Sequence, residues 1–297
     1  MDLTGAPYST LRKPTLACNG AVATSQPLAA QVGLDILRRG GNAVDAAVAT
    51  AAALTVVEPT SNGIGGDLFA LVWDGKTLHG LNASGPAGAA ADADRLRAAG
   101  HATMPELGWD SVTVPGGPNG WGMLMERFGT LEMEAVLEGA ISYAEQGYPV
   151  SPTVAGLWAG AASRYLSEPG AEFEGWKRIF APSGRAPHAG ERWASPHHAA
   201  TLRRLAERGV GDFYTGQVAE QIVAYAQATG GALTLGDLAA HAGEWVQPIS
   251  TNYRGYDIWE IPPNGQGIAA LMTLKMLESY DLASMPQIST ESWHLQM

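Results

Sequence analysis

Leu28, Val32 and Ile36 recur every four residues between Ser25 and Gly40, with Arg38 and Arg39 at the C-terminal end, where cations complement a helix dipole. The spacing predicts an amphipathic helix stopped by Gly40-Gly41. Asn42, followed three residues later by Asp45, has the pattern of an N-cap. Ala43–Val57 is almost uniformly Ala and Val, interrupted by Asp45, Thr50 and Thr55, and predicts a fully buried helix ended by Glu58-Pro59. A glycine-rich stretch, Thr60–Asp67, leads into two apolar runs, Leu68–Trp73 and Thr77–Asn82. They flank Asp74-Gly75 and predict a β-hairpin.

Beyond the hairpin, Ala83–Ala102 is polar and Ala-rich with a short helix predicted from Asp92, and Val112–Gly116 has the pattern of a strand end or turn. Met133, Val136, Leu137, Ala140, Ile141 and Ala144 follow the helical template closely, with Gly147 placed to stop the helix. Glu168–Pro196, rich in Gly, Pro, Trp and Arg, is expected to be surface loop. Helices are expected over Ala199–Arg208 and Gln217–Thr229, closed by Gly209 and Gly230. A strand over Tyr253–Ile261 and an apolar helix over Gly267–Ser279 complete the pattern. No internal repeat or linker divides the chain, so residues 1–297 are expected to form a single domain.

Composition narrows the function classes. The 29 acidic residues against 18 basic ones give a net charge of −11, which opposes binding to a phosphate backbone, because that affinity comes from Lys and Arg. No nucleic-acid partner is expected. The longest apolar stretch, Ala46–Val57, is far short of the ~20 residues that span a bilayer, and the first twenty residues lack an apolar signal core. The expectation is therefore a cytoplasmic protein with no membrane association. The single cysteine, Cys18, cannot form an internal disulfide and is read as a small buried hydrophobe rather than a nucleophile.

Most motifs with chemical content are missing. The seven His show no metal-binding spacing, and His197-His198 is read as a helix start or surface pair, so no metal is expected. Gly63-Ile64-Gly65-Gly66 lacks both the lysine of a phosphate loop and the full G-x-G-x-x-G. No G-x-S-x-G elbow occurs, and Asp92/Asp94 and Glu132/Glu134 are i, i+2 pairs that diverge on a helix.

The distinctive feature is an ordered series of segments: Ser25–Ala29, Ile36–Pro59, Ser61–Gly66 with Phe69–Val72, Thr113–Gly116 with Gly120-Trp121, Phe213–Gly216 with Ala219–Val223, Leu233–Leu238, and Tyr253–Tyr256 through Pro262–Gly267. Together they resemble the γ-glutamyltransferase (glutathione hydrolase) family of N-terminal nucleophile hydrolases. The resemblance implies an α+β proenzyme with an αββα sandwich that cleaves itself into a large and a small subunit. The new N-terminal threonine of the small subunit would then form an acyl-enzyme, its own α-amine serving as base. No cofactor is implied. Asn62–Asp67 is read as scaffold near the site.

Two departures qualify the resemblance. The family's nucleophile and oxyanion-hole glycines belong to the small subunit, and this chain stops at Met297, inside what the resemblance makes the large subunit. The sandwich is therefore expected to be incomplete without the small-subunit portion, its partner, and no catalytic residue is assigned here. Thr290 precedes the expected cleavage region and is not the nucleophile. Secondly, the family's γ-glutamyl enzymes carry an arginine four residues before the proline of an Ala-Pro pair, where it binds the substrate α-carboxylate. Counting back from Pro86 puts Asn82 in that place, and an amide cannot reproduce a bidentate arginine–carboxylate pair. Asn82 is the candidate substrate-binding residue, with a strand-end structural role as its alternative. Arg95 and Arg97 are the fallback carboxylate ligands. The expected substrate is a small-molecule amide, either a γ-glutamyl compound or one taken by a cephalosporin/glutaryl acylase or oxamate amidohydrolase. The rival reading is an inactive truncated scaffold.

Overall fold

Gln26 caps the first helix, α1 (Pro27–Arg38), and Pro27 enters its first turn, where the missing N–H costs nothing. The computed structural model describes residues 15–286 and 288–297. Ala29, Val32, Gly33 and Ile36 form the buried stripe of α1. The second helix, α2 (Ala43–Val57), opens on a reciprocal capping box between Asn42 and Asp45. Asp45 is fully buried, and its carboxylate also accepts hydrogen bonds from the Thr130 amide at 2.9 Å and the Thr130 hydroxyl at 2.5 Å. Burial alone would push this carboxyl up, but the donors from Thr130, Asn42 and Leu131 outweigh it and hold it below the usual carboxylate range. The expectation of all-round burial for α2 holds only in part. Ala43 and Ala47 are exposed and Ala51 and Leu54 half-buried, because this flank lines a groove of about 760 Å³ with residues 19–24.

The predicted hairpin is present as β1 (Leu68–Trp73) and β2 (Leu78–Ala83), turned by Asp74, whose Oδ1 accepts from the Lys76 and Thr77 amides at 2.8 Å. Asp92 caps the short α3 (Ala93–Ala98). Residues 112–116 form no strand, only a bridge between Thr113 and Ala87. They feed α4 (Gly117–Phe128), a helix that its Gly-Pro-Asn-Gly start concealed from the sequence pattern. The strongly periodic segment forms α5 (Met133–Gln146), which stops at Gly147 as expected.

The region 168–196 is not simply surface loop. Tyr148–Pro149 (β3) leads to α6 (Pro152–Tyr165), capped by Ser151, followed by α7 (Glu174–Phe180) and by β4 (Arg192–Trp193), which pairs with β3. Its tryptophans are the reason. Trp158 of α6 meets Trp193 edge-on at 5.0 Å and donates its indole N–H to the Phe180 carbonyl at 2.9 Å, while Phe180 stacks on Trp193 at 5.9 Å. A two-turn helix is too short to show a period, so only these contacts reveal that the segment is partly core.

Helix α8 (Pro196–Arg208) starts earlier than the apolar pattern indicates, at a first-turn proline, and α9 (Asp212–Thr215), α10 (Gln217–Ala228) and α11 (Leu235–Ala239) follow. Then β5 (Glu244–Val246) joins β2 antiparallel, completing a three-stranded sheet ordered β1-β2-β5. The single strand expected over 253–261 is instead a hairpin, β6 (Ile249–Tyr253) and β7 (Tyr256–Glu260). Arg254 and Gly255 both take positive φ, 52° and 87°, the geometry of a two-residue hairpin turn, without the Asn-Gly that usually marks it. Helices α12 (Gly267–Leu277) and α13 (Thr290–Gln296) end the chain.

The core is one contiguous cluster in which α2 packs against α1, α4 and α5, and α5 against α8. Helix α4 lies on one face of the sheet, where Gly120 admits the Leu68 side chain and the Ala83 methyl. Phe69, Leu71 and Trp73 occupy the alternate positions of β1 and are exposed. The chain is thus α+β, with helices layered on one face of the sheet; among the described residues the other face of β1 is open, as an incomplete sandwich requires.

Candidate functional site

Asn82 is the penultimate residue of β2, between Leu81 and Ala83, both fully buried on the helix side. Alternation turns the Asn82 side chain to the open face, shared with Phe69 of β1 and Glu244 of β5, its register partners. There its Oδ1 accepts from the Ser84 amide at 3.1 Å and the Ser84 hydroxyl at 2.9 Å, and its Nδ2 donates to Asn264 Oδ1 at 2.7 Å. Asn264 belongs to the loop between β7 and α12, so this contact joins segments 182 residues apart.

Close backbone packing fixes the chain beyond Asn82. A methyl on Gly85 would lie 1.4 Å from the Val114 carbonyl oxygen, and one on Gly116 would lie 1.8 Å from the Ala83 carbonyl oxygen, so only glycine fits at either position. Added methyls at Gly63 and Gly65, by contrast, would meet nothing within 4 Å. Gly66 anchors the loop differently, its carbonyl accepting from the Gly116 and Gly117 amides at 3.0 and 2.8 Å. Asp67 Oδ1 accepts from the Gly85 amide at 3.0 Å.

Behind this surface, the Tyr214 hydroxyl donates to the Pro115 carbonyl at 2.8 Å and accepts from the Asn119 amide at 3.0 Å, while Asn119 Oδ1 accepts from the Gly243 amide at 2.7 Å. His241 packs against Tyr214 at 5.3 Å with its Nε2 buried and unpartnered. Burial lowers the His241 pKa, and the Asp67 carboxylate opposes that shift. Sequence reasoning singled out neither Asn264, Tyr214 nor His241 as site residues. Asn264 lay in a quoted segment, but only folding places it beside Asn82.

The other candidates are scattered. Arg95 is ion-paired with Asp110, and Arg97 with Asp94 at 2.7 Å, so neither guanidinium is a ready carboxylate ligand. Cys18 is exposed, against the expectation of a buried residue, because residues 15–21 lie over the surface. Thr290 is the first residue of α13 and exposed. His197 and His198 open α8 as expected, but His198 is turned inward, its Nε2 3.1 Å from the Thr55 hydroxyl, and burial lowers its pKa to about 4. Among the described residues no group of three or more His, Cys, Asp or Glu could hold a metal ion, and no helix is long and apolar enough to cross a membrane.

The site therefore offers amide hydrogen-bonding groups at the end of the central strand of the sheet. The chain belongs to the γ-glutamyltranspeptidase family, whose model matches residues 29–297. It is 37% identical over 293 residues to the glutathione hydrolase-like YwrD proenzyme of Bacillus subtilis, covering 96% of this chain and 54% of that one. It is 34% identical to the acylase ACY 1 proenzyme of a Pseudomonas species, covering 98% and 53%. Among solved structures, the cephalosporin acylase of Bacillus halodurans superposes with a TM-score of 0.92 at 49% identity, over 99% of this chain and 55% of that one. The chain spans about half the length of the curated relatives it matches.

Proposed function

We propose that the chain is the large-subunit portion, a single domain, of an amide hydrolase or acyl transferase whose nucleophile is the N-terminal threonine of a small-subunit portion outside residues 1–297. In that enzyme the threonine hydroxyl attacks the substrate amide carbonyl, its own α-amine taking the proton, and backbone N–H groups hold the oxyanion. The amine leaves, and water or an acceptor amine releases the acyl group. Neither a metal nor an organic cofactor takes part. This chain supplies one wall of the acyl pocket, centred on Asn82.

The observation that carries the reading is Asn82 itself: a neutral amide at the end of the central strand, held by Ser84 and Asn264, where the family resemblance places a carboxylate-binding arginine. It favours an acylase-type amidohydrolase over a γ-glutamyl enzyme, and the likeness to a cephalosporin acylase supports the same choice. The complete reading frame should yield a proenzyme that splits into two chains on denaturing gels and hydrolyses acyl anilides, whereas residues 1–297 alone should not. Turnover by pure 1–297 would overturn the division of roles. A cytoplasmic location belongs to the same proposal and is tested by cell fractionation.

A further inference from the structure

We infer that Asn264 and Glu244 act with Asn82 as specificity-determining residues, and that the subsite they form selects amides whose acyl end carries a neutral hydrogen-bond acceptor and rejects those ending in a carboxylate. The inference rests on the acyl-pocket reading of Asn82 above and goes beyond it in naming two further residues and a substrate class.

The hydrogen bonds decide what the pair can offer. Both Asn82 bonds to Ser84 use its carbonyl oxygen, and one Nδ2 proton goes to Asn264 Oδ1. That leaves the second Nδ2 proton of Asn82 and the amide protons of Asn264, all of them donors. The surface therefore presents N–H groups toward an acceptor oxygen, with the loop after β7 fixed to the end of β2 by the 2.7 Å bond.

Charge then decides which acceptor. Glu244 is the register partner of Asn82 and shares its face of the sheet. Asp67 is held beside the same strand end through the Gly85 amide, and Glu260 packs where α12 begins, its Cβ 2.7 Å from the position a Gly267 methyl would take. The cations of the neighbouring elements are engaged elsewhere. Arg127 lies 4.3 Å over the Trp245 ring, on the opposite face, and bonds to His79 Nδ1, and Arg254 donates to the Tyr280 carbonyl. A substrate carboxylate would thus meet carboxylates and no free guanidinium, losing the charge-assisted pairing that makes such binding strong. A carboxamide or ester carbonyl takes the same N–H donors without that repulsion.

The test uses the complete, self-processed enzyme and two probes, γ-glutamyl-p-nitroanilide and the analogue with a carboxamide in place of its α-carboxylate. Wild type should show about tenfold or higher kcat/KM for the carboxamide. Asn264→Asp keeps the acceptor for Asn82 but replaces the donors with a further carboxylate, and should lower kcat/KM for the carboxylate probe more than for the carboxamide probe while the Tm stays within a few degrees. Glu244→Gln should raise kcat/KM for the carboxylate probe several-fold and leave the carboxamide probe little changed. A wild type that prefers the carboxylate, or variants that alter both probes equally, would overturn the inference while leaving the amidohydrolase reading intact. Processing with turnover of neither probe would overturn the substrate class, and failure to process at all would remove the enzymatic reading and the inference together.

Discussion

A half-buried imidazole next to a threonine hydroxyl makes the stability of this protein depend on pH. His198 has its pKa lowered to about 4 by burial, against 6.5 for the free side chain, so the folded protein binds fewer protons than the unfolded chain between those values. Its contribution is present in full above about pH 6.5 and is lost as pH falls toward 4, by up to about 3 kcal/mol. The expected outcome is that a His198→Gln variant loses less stability than wild type between pH 7 and pH 4.5, measured by thermal unfolding; parallel curves would show that His198 protonates freely in the fold. The sequence placed His198 at a helix start or on the surface but could not show which way it faced, since Thr55 lies 143 residues away. Asp45 repeats the lesson. Its capping role is local and was legible beside Asn42, while its bonds to Thr130 and Leu131, more than eighty residues on, were not. Asn82 was legible by its distance from Pro86, but its partner Asn264 was not.

At the scale of elements, α2 is the test of packing. Ala49 and Ala52 are both fully buried, facing helices that approach closely because these side chains are small. Replacing either with Leu should cost roughly 1–3 kcal/mol through overpacking, read as a lower Tm, and an unchanged Tm for both would show that the helix contacts are loose. Helices α1 and α5 were recognisable because a single face repeats over several turns, and α2 because it is almost uniformly apolar between its cap and Glu58-Pro59. Short ones were not. Helix α7 and the two-residue strands β3 and β4 carry too few residues to display a period, α4 opens on a Gly-Pro-Asn-Gly start that hides it, and β6–β7 turns on Arg254-Gly255, a pair that composition does not flag as a turn.

Among the described residues the molecule has apolar faces that no other element covers. Phe69 and Trp73 of β1 are 44% and 64% exposed, and Ile268, Met272 and Met276 line the outer side of α12. Exposed apolar side chains grouped on one face of a strand or helix mark a surface that another element covers. Residues 1–297 expressed alone should therefore bind a hydrophobic dye and self-associate, and coexpression with the remainder of the reading frame should suppress both; a monodisperse, dye-silent monomer on sedimentation would show that the face needs no cover.

What the sequence determined by itself was the long helices, the Asp74-Gly75 hairpin and the Asn42 cap, together with the family and the α+β class it implies, read from segments whose order along the chain is the evidence. The helices, hairpin and cap depend on residues within a few positions of one another. Tertiary structure alone decided which segments meet. It drew the tryptophans of 158 and 193 into the core, crowded Gly85 and Gly116 against carbonyl oxygens, turned His198 inward, and set Asn264 and Glu244 beside Asn82 on the open face of the sheet. The physical reason is that side-chain contacts act over a few ångströms in space, whatever the separation along the chain, and neither periodicity nor composition encodes which distant residues the fold will bring within that reach.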